Sequence, residues 1–540
     1  MHNVKIRAMN IEREHTLKKY YRWLFAFLGG LFYASGFPLF SDFTFLPGAF
    51  LGLTLFFYIL LSQKNNSTLK NDLMLAWFFS AGAFILGYYW IPQTLKEFGD
   101  IPSPFHYIIG CLFTFFCLPQ IYLITIAFRK IKHPLYIALL YALFEYYTPQ
   151  QFPAHLGHTL LPIHGLIPLK LSPIFGSMIY SFVMLLFSFV TISFIQKKKS
   201  HIFSMIIILV CILAHFLLPN NFKQTKIETS LQVKIVQPNI GNYLKLNSEK
   251  GHHFSIDEVY KRFLNLSLQG KKSDLIIFPE TAYPPMISSV QLFSNPESID
   301  NLALISELIE QTGAELFTGG YDSSQSDKDS INREDSYQID YNSAFHFSKN
   351  AKLKQVYHKM KLIPFGEGLP FGPINKYLSP YLQNITFFSE GQSAKIFKTD
   401  SGSIFTAAIC YEILFPDFLR KNLNSLPEIP LFLINITNDS WYGLTSEPFQ
   451  HLFLAKWRSL EFNLPIIRST NTGISTIFYP DGREDERINS GLESIKDYEL
   501  KLIKREKTLF EKYGPSLFLL LAFILILLEK IPLLKDREDV

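Results

Sequence analysis

The sequence predicts two architectures in one chain: a polytopic α-helical membrane bundle of about eight helices, and an extracytoplasmic α/β domain with layered sheets and helices outside. Three observations carry this. Apolar runs recur through residues 23–219 and return at 514–531. Residues 220–510 instead alternate strand-like and helix-like stretches. Charged residues make up only 18 % of the chain, below the roughly 25 % of soluble domains. A tail at 1–22, a seven-helix bundle at 23–219, the α/β domain at 220–510 and a last helix with its tail at 511–540 are therefore expected.

The seven leading apolar segments lie near 23–40, 44–62, 72–92, 107–128, 133–147, 172–195 and 202–219. Several reach the roughly 18–20 residues that cross a bilayer as a helix. The fifth is short and ends in Phe144-Glu145-Tyr146-Tyr147, which suggests a tilted or re-entrant piece. Glu145 is a candidate intramembrane functional carboxylate or an interfacial one. The amino terminus is polar through Arg22 and runs into apolar segments, as a retained anchor does.

Charge orients the set. The tail and alternate loops carry fourteen Lys and Arg, among them Arg129, Lys130, Lys132 and Lys197 to Lys199. The opposite loops carry only Lys96 and Lys170. Basic loops stay in the cytoplasm, so both termini are expected there and residues 220–510 outside it. The net charge of +5 forms no nucleic-acid-like stripe.

In the polar region, Leu231 to Asn239 opens as a strand, 255–269 as a helix and 273–280 as a strand. A helix at 298–311 and strands from Ala314, Tyr341 and Ile404 follow. Strands at 430–438, 466–470 and 474–479 flank a helix at 447–462. Residues 322–339, rich in Ser, Asp and Asn, predict a mobile loop.

Three polar residues there suit acyl chemistry. Cys410, in Ala408-Ile409-Cys410-Tyr411-Glu412, follows an apolar strand. Glu280, in Ile277-Phe278-Pro279-Glu280, follows another. Lys359 lies between them. A thiol, a carboxylate and a cation make a nucleophile, its base and a partner for a developing oxyanion. Each alone is also compatible with a structural role, as a buried thiol, a strand-end cap or a surface charge. Cys111, Cys117 and Cys211 lie in apolar runs, where a thiol behaves as a small hydrophobe. His155, His158 and His164 match no zinc-site spacing and are expected to be solvated or interfacial. Neither a metal nor a cofactor is expected. Trp90 fits an interfacial aromatic belt or a substrate contact.

These contexts resemble the nitrilase superfamily, whose members carry a Glu-Lys-Cys triad on an αββα sandwich. Phe278-Pro279-Glu280 is similar to its glutamate motif, Tyr357-His358-Lys359 to its lysine motif and Ile409-Cys410-Tyr411-Glu412 to its cysteine elbow. The resemblance narrows to the apolipoprotein N-acyltransferases, which join a helical bundle, a periplasmic nitrilase-like domain and a final helix. Ile363-Pro364-Phe365-Gly366-Glu367, Asn438-Asp439-Ser440-Trp441-Tyr442-Gly443, Pro448-Phe449-Gln450-His451, Arg458, Glu461 and Pro465 through Gly473 continue it. Departures occur at Lys361, where the family often has His, and at Leu246, near its usual Trp.

The resemblance implies a multi-pass enzyme of the bacterial inner membrane with its catalytic domain in the periplasm. A phospholipid would acylate Cys410 as a thioester. The α-amino group of a diacylglyceryl-cysteine at an apolipoprotein's amino terminus would then accept the acyl chain. Glu280 is implied as base and Lys359 as oxyanion partner. Glu367, Tyr411 and Glu412 are implied as support. Phe365, Leu369, Phe371 and Trp441 are candidate lipid contacts, and a monomer is expected. A membrane-tethered nitrilase-type amidase, a transporter with a sensory ectodomain and a catalytically dead lipid-binding relative are the alternatives. The first would differ in using water as acceptor.

Overall fold

The computed structural model describes residues 2–62, 67–99, 101–197, 202–219, 229–249, 251–294, 302–324, 339–364, 366–368, 377, 388–443 and 445–531. They divide into two compact units. One comprises Met1–Gln93, Pro102–Asn220 and Tyr513–Val540, and the other Thr94–Ile101 and Asn221–Lys512.

The first unit is helical. Its opening helix, His2–Ser35, is continuous from the polar tail into the first apolar segment. It stops short of residue 40 because Pro38 has no N–H to donate and disfavours helix in the residue before it. Helices Pro47–Leu61 and Leu69–Gly87 pack on it. A Cβ on Gly30 would stand 1.9 Å from the Phe79 carbonyl oxygen, so only glycine allows this crossing. Leu69–Gly87 and Met178–Ile195 are each long and apolar enough to cross a membrane. Pro47–Leu61, Ile202–Leu217 and Ser516–Glu529 are shorter apolar helices, and Pro134–Tyr147, the short fifth segment, has 14 residues.

The fourth segment departs from the expected single helix. Phe105–Leu112, Thr114–Cys117 and Pro119–Phe128 follow one another, with a 46° bend at the break. Pro119 explains it, since its ring crowds the preceding turn and it lacks a donor.

The histidine loop also departs from expectation. His155, His158 and His164 are 2 %, 0 % and 3 % exposed, buried rather than solvated. The His155 and His158 rings stack at 4.8 Å, and His158 Nδ1 accepts the His155 N–H. Glu145, itself buried, accepts the Leu156 N–H at 2.8 Å. The 3-10 stretch Leu156–Ile163 is buried at its start, and its backbone donors need acceptors from side chains.

The second unit holds strands β1 Thr229–Gln237, β2 Leu275–Ile277, β3 Tyr283–Ile287, β4 Glu315–Ser324, β5 Ile339–Phe347, β6 Leu353–His358, β7 Phe397–Lys398, β8 Ile404–Ile409, β9 Phe432–Thr437, β10 Ile466–Thr470, β11 Thr476–Phe478 and β12 Ser494–Leu502. One sheet runs β12-β1-β2-β4-β5-β6, with β3 beside β4, and the other runs β11-β10-β9-β8-β7. β1, β2 and β4 are mutually parallel, as are β8, β9 and β10. β8 to β10 are almost wholly buried, which is why they read as continuous apolar runs.

The sheets face each other through aromatic rings. Phe317 of β4 lies 5.2 Å from Phe397 and 5.6 Å from Phe405 of the second sheet. Its neighbour Leu316 points the other way, into a cluster with Phe263 of helix His253–Ser267 and Leu308 of helix Ala303–Thr312. Helices Pro416–Ser425 and Glu447–Phe462 lie along the second sheet's side. The layers are thus α, β, β, α. Of the loop expected at 322–339, β4 and β5 claim the two ends, and 325–338 lie outside the described residues.

Candidate active site

Cys410 stands one residue past β8. Its backbone is left-handed, φ +50°, a conformation that costs a non-glycine residue about 1 kcal/mol or more and is held by its surroundings. A 3-10 turn, Cys410–Leu414, turns the chain at once. The thiol is buried, 2 % exposed. Burial pushes its pKa well above the ordinary thiol range, and the Glu280 charge adds to that while Lys359 opposes it. At rest the sulfur is therefore protonated, and it feels both other candidate residues.

Glu280 follows β2 in a turn whose next residue, Thr281, is also left-handed, φ +49°. Gly319 of β4 passes directly behind. A Cβ there would lie 2.5 Å from the Thr281 nitrogen and 2.6 Å from the Glu280 Cα, so the strand needs glycine to let the carboxylate sit here. Glu280 Oε2 accepts the Asn438 main-chain N–H at 2.8 Å, and Oε1 accepts from Lys359 Nζ at 3.0 Å and Asn342 Nδ2 at 2.8 Å.

Lys359 follows β6 and is wholly buried. Its ammonium lies between two carboxylates, Glu280 at 3.0 Å and Glu367 Oε1 at 2.8 Å. Burial would lower its pKa, but the Glu280 and Glu367 charges outweigh that and hold it above the usual lysine value. Glu367 also accepts the Ile363 N–H and an Asn342 Nδ2 bond, so Asn342 of β5 joins both carboxylates.

Glu412 does not contact the cation. Its carboxylate accepts N–H groups from Met360, Lys361 and Ile409 at 2.7, 3.1 and 2.7 Å, and the Tyr357 hydroxyl at 2.9 Å. It thereby ties the lysine loop to the cysteine elbow. Burial pushes its carboxyl up to about 7 despite those donors. Tyr411 packs edge-on to Phe415 at 4.7 Å, and Lys361 places its ammonium 4.2 Å from the same ring.

Glu280, Lys359 and Glu367 are thus brought together, with Cys410 in their field and Glu412 bracing the two loops. Trp441 lies in the 3-10 turn Asp439–Tyr442, its ring 5.8 Å from the Lys245 ammonium. Trp90 belongs to the helical unit and is buried against Phe152 at 5.8 Å. Phe365, Leu369 and Phe371 lie outside the described residues, as does the Leu246 side chain. Sequence reasoning missed Asn342 and Lys245. Asn342 had a usable signal, a polar residue in an alternating strand. Lys245 donates to the Thr281 hydroxyl beside Glu280, a contact that no sequence spacing reports.

Comparison with known proteins gives the chain its relatives. Residues 233–495 match the carbon-nitrogen hydrolase family, and residues 29–190 match the apolipoprotein N-acyltransferase N-terminal domain. The chain is 30 % identical over 476 residues to the apolipoprotein N-acyltransferase of Bdellovibrio bacteriovorus, covering 84 % of each. It is 29 % identical over 527 residues to that of Rickettsia prowazekii, covering 94 % of this chain and 96 % of the relative. For Haemophilus influenzae the identity is 25 % over 500 residues and 90 % of each chain. With both regions matched in order and similarity running through most of its length, the chain belongs to the apolipoprotein N-acyltransferase family.

Proposed function

We propose that this chain is an acyltransferase that moves a fatty acyl group from a phospholipid, through a thioester on Cys410, to the amino-terminal cysteine of diacylglyceryl-modified apolipoproteins. The observation that carries the reading is the Lys359 ammonium between Glu280 and Glu367, in the field of a protonated Cys410. Such a thiol needs a base before it can attack, and after burial the Glu280 charge is the strongest influence raising its pKa.

Glu280 takes the Cys410 proton as sulfur attacks the sn-1 ester carbonyl. The oxyanion that forms is steadied by Lys359, whose charge the two carboxylates preserve. Collapse expels the glycerol oxygen, which leaves with the proton held by Glu280 as a lysophospholipid. In the second half the α-amino group attacks the thioester. Glu280 now takes the amine proton and returns it to the departing sulfur. Glu367 orients Lys359, and Tyr411 and Glu412 shape the elbow. The catalytic unit faces the periplasm, both termini face the cytoplasm, and the chain works as a monomer.

The test uses purified full-length protein in phospholipid vesicles. It should take a hydroxylamine-sensitive acyl label from phospholipid, and with a diacylglyceryl-cysteinyl peptide it should yield a triacylated product. Cys410→Ser should abolish both. Equal labelling of the serine variant would refute the nucleophile, and release of free fatty acid alone would favour a hydrolase.

A further inference from the structure

Asp439, Glu447 and His451 are fully buried, with ligating atoms within 4.8 Å of one another. A divalent cation is one occupant for such a group, but the fold supplies a different counter-charge. Arg468 Nη2 donates to Asp439 Oδ2 at 2.9 Å, and Thr437 Oγ1 donates to Asp439 Oδ1 at 3.1 Å. His451 Nδ1 lies 3.3 Å from Glu447 Oε1 and 3.6 Å from Asp439 Oδ1. Asp439 is thus paired with the Arg468 cation, and the His451 ring faces both carboxylates.

The cluster has an output. His451 Nε2 lies 3.3 Å from the main-chain carbonyl oxygen of Cys410. The same oxygen receives a long 3.5 Å bond from Asn435 Nδ2, and Asn435 Oδ1 accepts from Arg468 Nη1 at 2.7 Å. Arg468 therefore anchors two arms, one through Asn435 and one through Asp439 and His451, that meet on one carbonyl. That carbonyl belongs to the residue with the left-handed backbone.

We propose that His451 is a positioning residue for acyl transfer: it grips the Cys410 carbonyl, holds the nucleophile's backbone left-handed and so aims its sulfur at Glu280 and Lys359. The inference rests on the reading of Cys410 as nucleophile. Burial and Arg468 disfavour the charged ring, yet the carboxylates of Asp439 and Glu447, which face Nδ1, raise its pKa, and Nε2 is left to donate to the Cys410 carbonyl. The role is also consistent with Gly473, where a Cβ would stand 1.9 Å from Asp439 Oδ2 and push the second arm out of place.

The experiment compares His451→Ala and His451→Gln in the full-length protein, since glutamine can reach with one donor. We expect kcat for acyl-enzyme formation to fall on the order of 100-fold in the alanine variant with KM unchanged, and to recover at least tenfold in the glutamine variant. Iodoacetamide labelling of Cys410, followed by peptide mapping, should slow in the same order. Wild-type kcat in His451→Ala, or a glutamine variant no better than alanine, overturns the proposal. So does wild-type activity that EDTA abolishes and Mg²⁺ or Zn²⁺ restores, which would make the cluster a cation site. If the wild type forms no acyl adduct, the nucleophile reading fails, while the labelling order still decides whether His451 sets the sulfur's position.

Discussion

Glu412 sits under two opposed demands. Three backbone donors want a carboxylate, and a dry site wants an acid, with the balance at about 7. Folded, the carboxyl holds its proton more tightly than at its ordinary 4.5, so protonation favours the folded state. That contribution is complete below about 4.5 and is lost as pH rises through about 7. Activity should run the other way, because the Met360 and Lys361 donors need the charge to hold the loop that carries Lys359. Single-turnover acyl-enzyme formation should show an acid limb near pH 7, and Glu412→Gln should stay at the acid-side rate at every pH. Asn342 makes a second residue-scale case. Asn342→Ala should lower kcat on the order of 10–100-fold, measured as thioester formation, because both carboxylates around Lys359 lose the same donor. Glu280, Lys359 and Cys410 were legible because each sits at or near the end of an apolar or alternating run. Asn342 offered a polar residue in an alternating strand, but its role was not legible, because its partners are 62 and 25 residues away along the chain.

Single elements were legible where burial was one-sided or complete. β10 and the helix Glu447–Phe462 have the predicted limits, and β8 starts at the predicted Ile404. β12 went unseen because Ser494 to Leu502 carries charges on a half-exposed edge, and its pairing partner β1 lies more than 250 residues earlier. β6 failed for the same reason, its first three residues being only partly buried. The bend at Pro119 was written in the sequence and overlooked inside an otherwise apolar run. Within β4, Gly319→Ala should destabilise the catalytic unit by about 3 kcal/mol, read by urea unfolding, because its new carbon meets backbone atoms that have nowhere to go. Activity should fall further than stability alone explains, since those atoms belong to Glu280 and Thr281.

For the molecule as a whole, the sequence separates a helical part from a sheet-bearing part, and the structure resolves the same two kinds of unit. The interior of the histidine loop was not legible, because a histidine that accepts a backbone bond looks like a solvated one in a sequence. The topology proposed above rests on the loop charges. Alkaline phosphatase fused after residue 510 should be active and the same enzyme fused after residue 197 inactive; the reverse pattern would invert the orientation. The burial of Cys410 matters for the enzyme's lifetime. Peroxide attacks exposed thiolates fastest, and burial both shields Cys410 and pushes its pKa up. The resting protein should thus be oxidised more slowly than open thiol enzymes, becoming most vulnerable in the moments when Glu280 has drawn the proton off its sulfur.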